Sequence, residues 1–215
     1  MAGGNGTRMG NELPKQFLLV KNLPIIMHTI NCFAEYEAGI EIVVVLPDSQ
    51  IEYWERLCKK FQFSQKHQVV AGGDSRFQSV KNGIDTIVEC DLVAIHDGVR
   101  PLVGTETIER CFESAAKHGA AIPVLPANES LREGTMNQSV AVDRTRYFQV
   151  QTPQVFSFDL IKKAYLQPFQ PEFTDDASVV EKMGVSVQMV LGNRENIKIT
   201  HPEDLLIAEL FLGNK

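Results

Sequence analysis

The chain has 215 residues, 44% of them hydrophobic and 22% charged, and a formal net charge of −6, values that are ordinary for a globular domain. The acidic balance argues against a nucleic-acid-coating protein, and no apolar run approaches membrane-spanning length, so we expect neither a nucleic-acid nor a membrane partner and no signal peptide. The four scattered cysteines lack a CxxC spacing and are typical of reduced core residues in a cytoplasmic protein.

The first predicted feature is a glycine-rich loop, AGGNGTRMG at 2–10, followed by LPKQF at 13–17. Backbone N–H groups of such a loop approach phosphate oxygens that side chains would otherwise block. Neither GxxxxGK[ST] nor GxGxxG is present, which disfavours a dinucleotide oxidoreductase. Arg8 and Lys15 flank the loop, and two cations there can neutralise a triphosphate during phosphoryl or nucleotidyl transfer. A surface turn with solvated charges is the alternative for this stretch alone.

Strand and helix patterns alternate along the rest of the chain. Apolar runs at 41–46, 91–96 and 120–125 are typical of strands buried on both faces, and 67–72 and 185–192 are shorter candidates. The predicted helices follow Pro24, cover 50–63, follow Ser75, run from Thr105 to about Gly119, begin at Thr174 or Asp175, and follow the cap signals Thr200, Pro202 and Glu203. The alternation predicts an α/β fold with a Rossmann-like, doubly wound, mostly parallel sheet.

Residues 127–150 interrupt this alternation. The segment is polar, has a short period and contains no good helix. We therefore predict a β-arm at about 127–150, inserted in a single domain that spans 1–215.

Polar motifs follow two of the predicted strands, where the ligand site of an open α/β sheet lies. In HDGVRP at 96–101, Asp97 can hold Mg²⁺, and Arg100 can bind a phosphate or position Asp97. In GGDSRFQSV at 72–80, Gly73 permits close backbone approach. A structural Asp–Arg turn and a merely capped loop are the alternatives.

Two later motifs carry further cations. Arg144, in VDRTRYFQVQTPQVF at 142–156, can make bidentate bonds to a phosphate monoester, with Arg146 as its local competitor. Lys198, in ENIKIT, lies on a predicted strand between two isoleucines and points away from them. Solvated strand charges are the alternative for both.

Six ordered blocks together resemble the polyol-phosphate cytidylyltransferase family of the nucleotidyltransferase superfamily. They are AGGNGTRMG…LPKQF, GGDSRFQSV, HDGVRP, VDRTRYFQVQTPQVF, TDDASVVEKMG and NRENIKITHPEDL. The resemblance implies transfer of CMP from CTP to a polyol phosphate, and it is closest to the branch that uses 2-C-methyl-D-erythritol 4-phosphate in the non-mevalonate route to isoprenoids. Ribitol 5-phosphate as the acceptor, and a nucleotide-binding module without catalysis, are the alternatives.

The resemblance also implies roles for individual residues. The catalytic residues are Arg8, Lys15, Arg144 and Lys198. The nucleotide-binding residues are Ala2, Gly3, Gly4, Gly6, Gly73, Asp74 and Ser79. The acceptor-binding residues are Asp97, Arg100, Ser130, Thr152 and Thr174, and Asp97 is also the metal ligand. Mg²⁺ or another divalent cation is the implied cofactor, and the implied partner is a second copy that exchanges the arm to form a homodimer.

The sequence departs from the family pattern in two places. The family has a buried strand just before the glycine loop, whereas this sequence begins at Met1. We expect an internal methionine or a truncated start, because a parallel sheet that lacks a central strand would expose apolar faces and unpaired backbone groups. In the arm, NESLRE stands where the family usually has an Asp-Thr pair, although Glu129 and Ser130 keep an acid and a hydroxyl.

Overall fold

The computed structural model describes residues 1–2 and 13–213, so the predictions for Gly3, Gly4, Gly6 and Arg8 lie outside the described residues. The strands are β1 Leu19–Val20, β2 Leu23–Pro24, β3 Val43–Leu46, β4 Gln68–Ala71, β5 Leu92–Ile95, β6 Ala120–Pro126, β7 Arg132–Gly134, β8 Ser139–Ala141, β9 Phe148–Val150, β10 Gln154–Ser157 and β11 Gln188–Leu191. The helices are α1 Ile25–Tyr36, α2 Asp48–Lys60, α3 Arg76–Asp85, α4 Thr105–His118, α5 Phe158–Ala164, α6 Asp176–Glu181 and α7 Pro202–Leu212.

The central sheet has the strand order β11-β6-β10-β5, and β9 also pairs with β6. Strand β11 is parallel to β6, and β10 is antiparallel to both β5 and β6, so β5, β6 and β11 run in one direction. Strands β3 and β4 form a separate parallel pair. The predicted α/β fold with a mostly parallel sheet is confirmed, while the antiparallel strands β9 and β10 add a feature that the sequence analysis did not predict.

Met1 and Ala2 bridge β3 and the end of β5. The Ala2 N–H donates to the Val45 carbonyl (3.1 Å), and the Met1 carbonyl accepts from the Gly98 N–H (2.7 Å). A cavity of about 620 Å³ beside them is lined by side chains of both strands. Within the described part of the chain, β3 and β5 belong to separate sheets, so their facing edges are not joined to each other.

Local capping signals set the starts of two helices. Ser75 precedes α3, and its hydroxyl accepts a backbone N–H of the first turn, as predicted. The start of α7 differs from the prediction of Thr200 and Glu203 as the capping pair. Pro202 is the first helical residue, so His201 before it is the cap residue, and Asp204, three positions beyond the cap, accepts the His201 backbone N–H at 2.8 Å.

The arm at 127–150 has the predicted β character. Strands β7 and β8 form an antiparallel hairpin, and β9 joins the arm to the central sheet by pairing with β6. Several of its apolar side chains are exposed, including Met136, Val140 and Tyr147. The arm therefore presents apolar surface outward rather than packing it into its own core.

The structure can be compared with the predictions for the cysteines and for membrane-spanning segments. All four cysteines are free, but Cys90 is exposed and only Cys111 is buried, which corrects the expectation that all of them lie in the core. Within 1–2 and 13–213, no helix combines the length and apolar character needed to cross a membrane.

Candidate active site

A cavity of about 230 Å³ gathers residues from distant parts of the chain. It includes five of the predicted site residues, Ala2, Lys15, Ser79, Asp97 and Lys198. Met1, Gln16, Arg76 and Val99 complete its lining. The cavity lies at the carboxyl end of β5, which is the edge of the sheet where an α/β ligand site is expected.

Asp97 is the buried anion of this cavity. Its Oδ2 lies 2.9 Å from Lys198 Nζ and 3.5 Å from Arg100 Nε. Burial alone would raise the pKa of the Asp97 carboxyl, but the charges of Lys198 and Arg76 outweigh it and hold this pKa well below its usual range. The carboxylate is therefore ionised throughout the neutral range.

His96 and Thr152 fix the backbone around Asp97. His96 Nε2 lies 3.1 Å from the Arg100 carbonyl, and because a carbonyl only accepts, Nε2 carries the proton. His96 Nδ1 is then an acceptor, and the Thr152 hydroxyl donates to it at 3.0 Å. The same hydroxyl oxygen accepts the Asp97 backbone N–H at 3.1 Å. The Thr152 hydroxyl can therefore accept a hydrogen bond from a ligand, but it cannot donate one, because its proton is already hydrogen-bonded to His96.

This arrangement predicts a pH dependence of stability. Burial lowers the pKa of His96 to about 3, from 6.5. Below pH 6.5 the unfolded chain binds a proton that folded His96 does not, so acid favours unfolding. We expect His96→Asn to reduce the slope of the unfolding free energy against pH by about 1.4 kcal/mol per pH unit between pH 6 and 4. Urea denaturation at several pH values measures it, with exposed His118→Asn as the control; equal slopes for His96→Asn and the native chain would contradict the assigned neutral ring.

Two hydrogen bonds hold the segment that carries Lys198 beside Asp97. The Arg100 Nη1 donates to the Asn196 carbonyl (2.7 Å), and the Ile199 N–H donates to the Val99 carbonyl (2.9 Å). Residues 197–200 form no strand, which corrects the predicted strand at this position, because one backbone bond to a loop is too little for a ladder. Ile199 is nevertheless buried and Lys198 is exposed on the opposite side, as the alternation predicted.

The loop before α3 is organised by Ser79. Its hydroxyl accepts the Gly73 N–H at 3.0 Å and donates to the Gly73 carbonyl at 3.3 Å. A Cβ at Gly73 would lie 2.2 Å from the side chain of Gln78, so a bare backbone suits this turn. Asp74 is exposed at the tip of the loop. Ser79 therefore shapes the loop, while Gly73 and Asp74 are accessible.

Lys15 is the described cation of the N-terminal segment. It begins a 3₁₀ helix, Lys15–Phe17, whose other two residues are buried. The Gln16 side chain donates to the Ala2 carbonyl (3.0 Å) and to Gln50 Oε1 (2.6 Å). The buried neighbours therefore hold the Lys15 backbone at the cavity wall.

Seven of the described predicted site residues lie outside the cavity lining: Gly73, Asp74, Arg100, Ser130, Arg144, Thr152 and Thr174. Ser130 and Arg144 are exposed on the arm, where Arg144 Nη1 donates to the Asn128 carbonyl, and Thr174 is exposed just before α6. Arg100 reaches the cavity only indirectly, through its ion pair with Asp97. The single chain therefore assembles the nucleotide side of the predicted site more completely than the acceptor side.

The sequence analysis missed a polar cluster that joins the cavity lining, through Arg76, to the buried side chain of Asp176. Arg76 pairs with Asp176, which also accepts the Tyr165 hydroxyl. Arg76 lies inside the GGDSRFQSV block and Asp176 inside TDDASVVEKMG. The two residues are 100 positions apart, so the only sequence signal of this pairing is that a cation and an acid each lie in one of the six blocks.

The donor set around Asp97 fits a magnesium ion that is shared with a substrate. Among the described residues, no cluster of three His, Cys, Asp or Glu side chains is present to hold a metal alone. Both ion pairs of Asp97 in the described ranges involve Oδ2. Mg²⁺ commonly takes one or two carboxylates, with substrate phosphates and water completing its shell. Asp97 Oδ1 with phosphate oxygens would be such a set.

The fold and the cavity define a class of enzyme. Cations around a buried carboxylate, at the carboxyl end of a strand in an α/β sheet, are typical of a phosphoryl- or nucleotidyl-transfer site. Residues 1–214 match the family model described as IspD, 2-C-methyl-D-erythritol 4-phosphate cytidylyltransferase. The chain belongs to this family.

Curated relatives and solved structures agree with this assignment. The chain is 53% identical over 212 residues to the 2-C-methyl-D-erythritol 4-phosphate cytidylyltransferase of Bacteroides thetaiotaomicron, covering 99% of this chain and 97% of the relative. The enzyme of the same name from Porphyromonas gingivalis is 51% identical, with 99% and 95% covered. The crystal structure of the Thermus thermophilus enzyme of that name has a TM-score of 0.79 at 29% identity, with 98% and 95% covered.

Proposed function

We propose that this chain transfers CMP from CTP to 2-C-methyl-D-erythritol 4-phosphate, giving the CDP-linked polyol and pyrophosphate. The observation that carries the proposal is the convergence of Lys15, Asp97 and Lys198 on one cavity, in a chain that belongs to this cytidylyltransferase family. Membership in the family supports methylerythritol phosphate over ribitol phosphate, and the presence of both cations and the carboxylate supports catalysis over binding alone.

The reaction needs alignment more than it needs a base. An oxygen of the acceptor phosphate forms a bond to the α-phosphorus of CTP, and the bond from that phosphorus to the bridging oxygen of the β-phosphate breaks. The electron pair leaves with pyrophosphate. A phosphate monoester is largely dianionic at neutral pH, because its second pKa is about 6, so no side chain has to remove a proton. The protein must overcome repulsion between two anions and hold them in line.

The cavity residues divide this task. Lys15, together with Arg8, would stabilise the charge on the α-phosphate and the leaving pyrophosphate. Lys198 would lie between the transferred phosphate and the acceptor phosphate, held by Asp97 at 2.9 Å. Gly73, Asp74 and Ser79 would form the nucleoside side, with Ala2 at the cavity wall. The Thr152 hydroxyl donates its hydrogen bond to His96, so toward an acceptor hydroxyl it would act as a hydrogen-bond acceptor.

Magnesium would bind through Asp97 Oδ1 and the phosphates of CTP. When bound, it would neutralise phosphate charge that the lysines alone do not balance. Arg100 supports this role, because its ion pair with Asp97 and its bond to the Asn196 carbonyl fix the orientation of the carboxylate.

We also propose a homodimer in which the arm completes the acceptor side. Ser130 and Arg144 are exposed on the arm and outside the cavity lining, and apolar arm side chains such as Met136 face outward. An arm that crossed to a second copy would bury this surface and bring Arg144 to that copy's acceptor phosphate. In that case residues 1–215 act as one domain with an exchanged appendage.

Pairing two defective variants tests whether the site is shared. We expect a heterodimer of Lys15→Ala and Arg144→Ala, purified through two different affinity tags, to recover about half of the native activity, because one of its two sites has both residues intact. The matched control pairs Lys15→Ala with Lys198→Ala, two residues of one cavity, and should recover none. Recovery no greater than in the control would contradict the exchanged arm.

The four free cysteines support a reducing compartment, and we propose the cytoplasm as the location.

The reaction itself is tested by pyrophosphate release from CTP with each acceptor in turn. We expect release with 2-C-methyl-D-erythritol 4-phosphate and at least a hundredfold lower kcat/KM with ribitol 5-phosphate, because a misfitted acceptor loses alignment as well as binding. Equal or greater efficiency with ribitol 5-phosphate would reverse the assignment.

A further inference from the structure

A partly buried polar cluster connects the starts of α3 and α6. Asp176 is fully buried, and its two carboxylate oxygens accept from both terminal nitrogens of Arg76, at 2.9 and 2.5 Å. The Tyr165 hydroxyl donates to the same carboxylate at 2.6 Å. This bidentate ion pair between Arg76 and Asp176, here called the fork, fixes the orientation of the guanidinium.

The two ends of this fork adjoin the two sides of the proposed site. Arg76 is the first residue of α3, directly after the loop 72–75 that is proposed to hold the nucleoside. Asp176 is the first residue of α6 and lies two positions after Thr174, the residue expected on the acceptor side. A rigid link at this point fixes the separation of the two binding segments.

The link also belongs to the cavity itself. Arg76 lines it with Lys15, Asp97 and Lys198, and 36% of the Arg76 side chain is exposed. Folding alone does not demand such a pair, because a buried ion pair can often be replaced by apolar side chains without loss of stability. A charged fork at the wall of a substrate cavity therefore calls for a functional explanation.

We propose that Arg76 is a positioning residue for nucleotidyl transfer, held by Asp176 and Tyr165 so that it fixes the distance between the nucleotide loop and the acceptor segment. The inference rests on the proposed function. Arg76 acts on the alignment of the reacting groups, so its substitution changes kcat more than it changes the affinity for CTP. A displacement of about 1 Å between reacting groups can cost a hundredfold in rate.

The first test is Arg76→Lys, which keeps a positive charge beside Asp176 but cannot form the fork. We expect kcat to fall about 10- to 100-fold, while the Kd of CTP, measured by calorimetry, changes by less than about threefold. A structural role alone would not separate kcat from CTP affinity. A native kcat in this variant, or a fall in CTP affinity that accounts for the whole loss, would overturn the proposal.

A charge-neutral double variant guards against a folding defect. Arg76→Met with Asp176→Asn removes the pair without leaving an unpaired buried charge, and asparagine still accepts from Tyr165. We expect a folded protein with a similarly reduced kcat. The matched control is Lys81→Met with Asp85→Asn, which removes an exposed pair (2.8 Å) on the same helix and should leave kcat unchanged. Equal activity of the two double variants would contradict the inference.

The native protein is assayed first, with CTP, 2-C-methyl-D-erythritol 4-phosphate and Mg²⁺. If it released no pyrophosphate, the proposed function would fail and this inference with it. If the native protein were active and both Arg76 variants matched it, only the inference would fail.

Discussion

Replacing Lys15 with alanine is expected to lower kcat by about 100- to 1,000-fold, because a fixed cation at a developing phosphate charge is strongest in the transition state. Lys15 lines the cavity beside Asp97 and Lys198, and its buried neighbours Gln16 and Phe17 hold its backbone in place. The loss should appear mainly in kcat, since the contact strengthens as pyrophosphate departs. Steady-state pyrophosphate release at saturating CTP and acceptor measures it.

The control for this variant is Lys117→Ala, which removes an exposed lysine near the end of α4. It should leave kcat unchanged, because a solvated charge on that surface is screened from the cavity. Turnover of Lys15→Ala within about threefold of the native protein would remove Lys15 from the proposed transition-state contacts.

Asp97→Asn is expected to have an effect of similar size. Asparagine keeps the shape of the side chain but removes the charge that pairs with Lys198 and Arg100 and that would bind magnesium. We expect kcat to fall by about 100-fold or more, and the magnesium concentration needed for half-maximal activity to rise. Activity titrated with Mg²⁺ at fixed CTP gives both values.

The same substitution has a signature in stability. The pKa of Asp97 is held below its unfolded value of 3.8, so the charged carboxylate contributes stability above that pH and loses it as the pH falls further. The difference in unfolding free energy between the native protein and Asp97→Asn should therefore shrink below about pH 4. The control is Asp91→Asn, which removes an exposed acid just before the same strand.

In the activity titration, a magnesium requirement unchanged in Asp97→Asn would exclude this carboxylate as a ligand.

Local signals in the sequence explain the parts of the fold that could be predicted. The valine run in β3 and the apolar runs of β5 and β6 are long enough to specify buried strands. Gly119 ends α4 with a φ of +86°, a conformation that favours glycine. Each of these features is decided by residues within a few positions of one another.

Features that depend on distant residues could not be predicted in the same way. Strand β10 inserts between β5 and β6 although it follows both in the sequence, and nothing in QVFS indicates an antiparallel neighbour. The role of His96 could not be predicted, because Thr152, which donates to its ring, is 56 positions away in the sequence. The fork between Arg76 and Asp176 has the same origin.

The candidate site divides along the same line. Asp97 could be located from the sequence because it directly follows a buried strand, and the cavity around it includes Lys15 and Lys198 as the motifs indicated. Arg144 and Ser130 are exposed on the arm, and the role proposed for them would require a second copy of the chain. The heterodimer experiment addresses that part of the account separately.

The most direct test of the central claim is ³¹P NMR of the purified protein with CTP, 2-C-methyl-D-erythritol 4-phosphate and Mg²⁺. The account requires the acceptor phosphate to attack the α-phosphorus. It predicts equal amounts of pyrophosphate and a diphosphate diester, with the acceptor monoester signal consumed. Formation of CDP together with a second phosphate on the acceptor, release of inorganic phosphate, or an unchanged spectrum would contradict it.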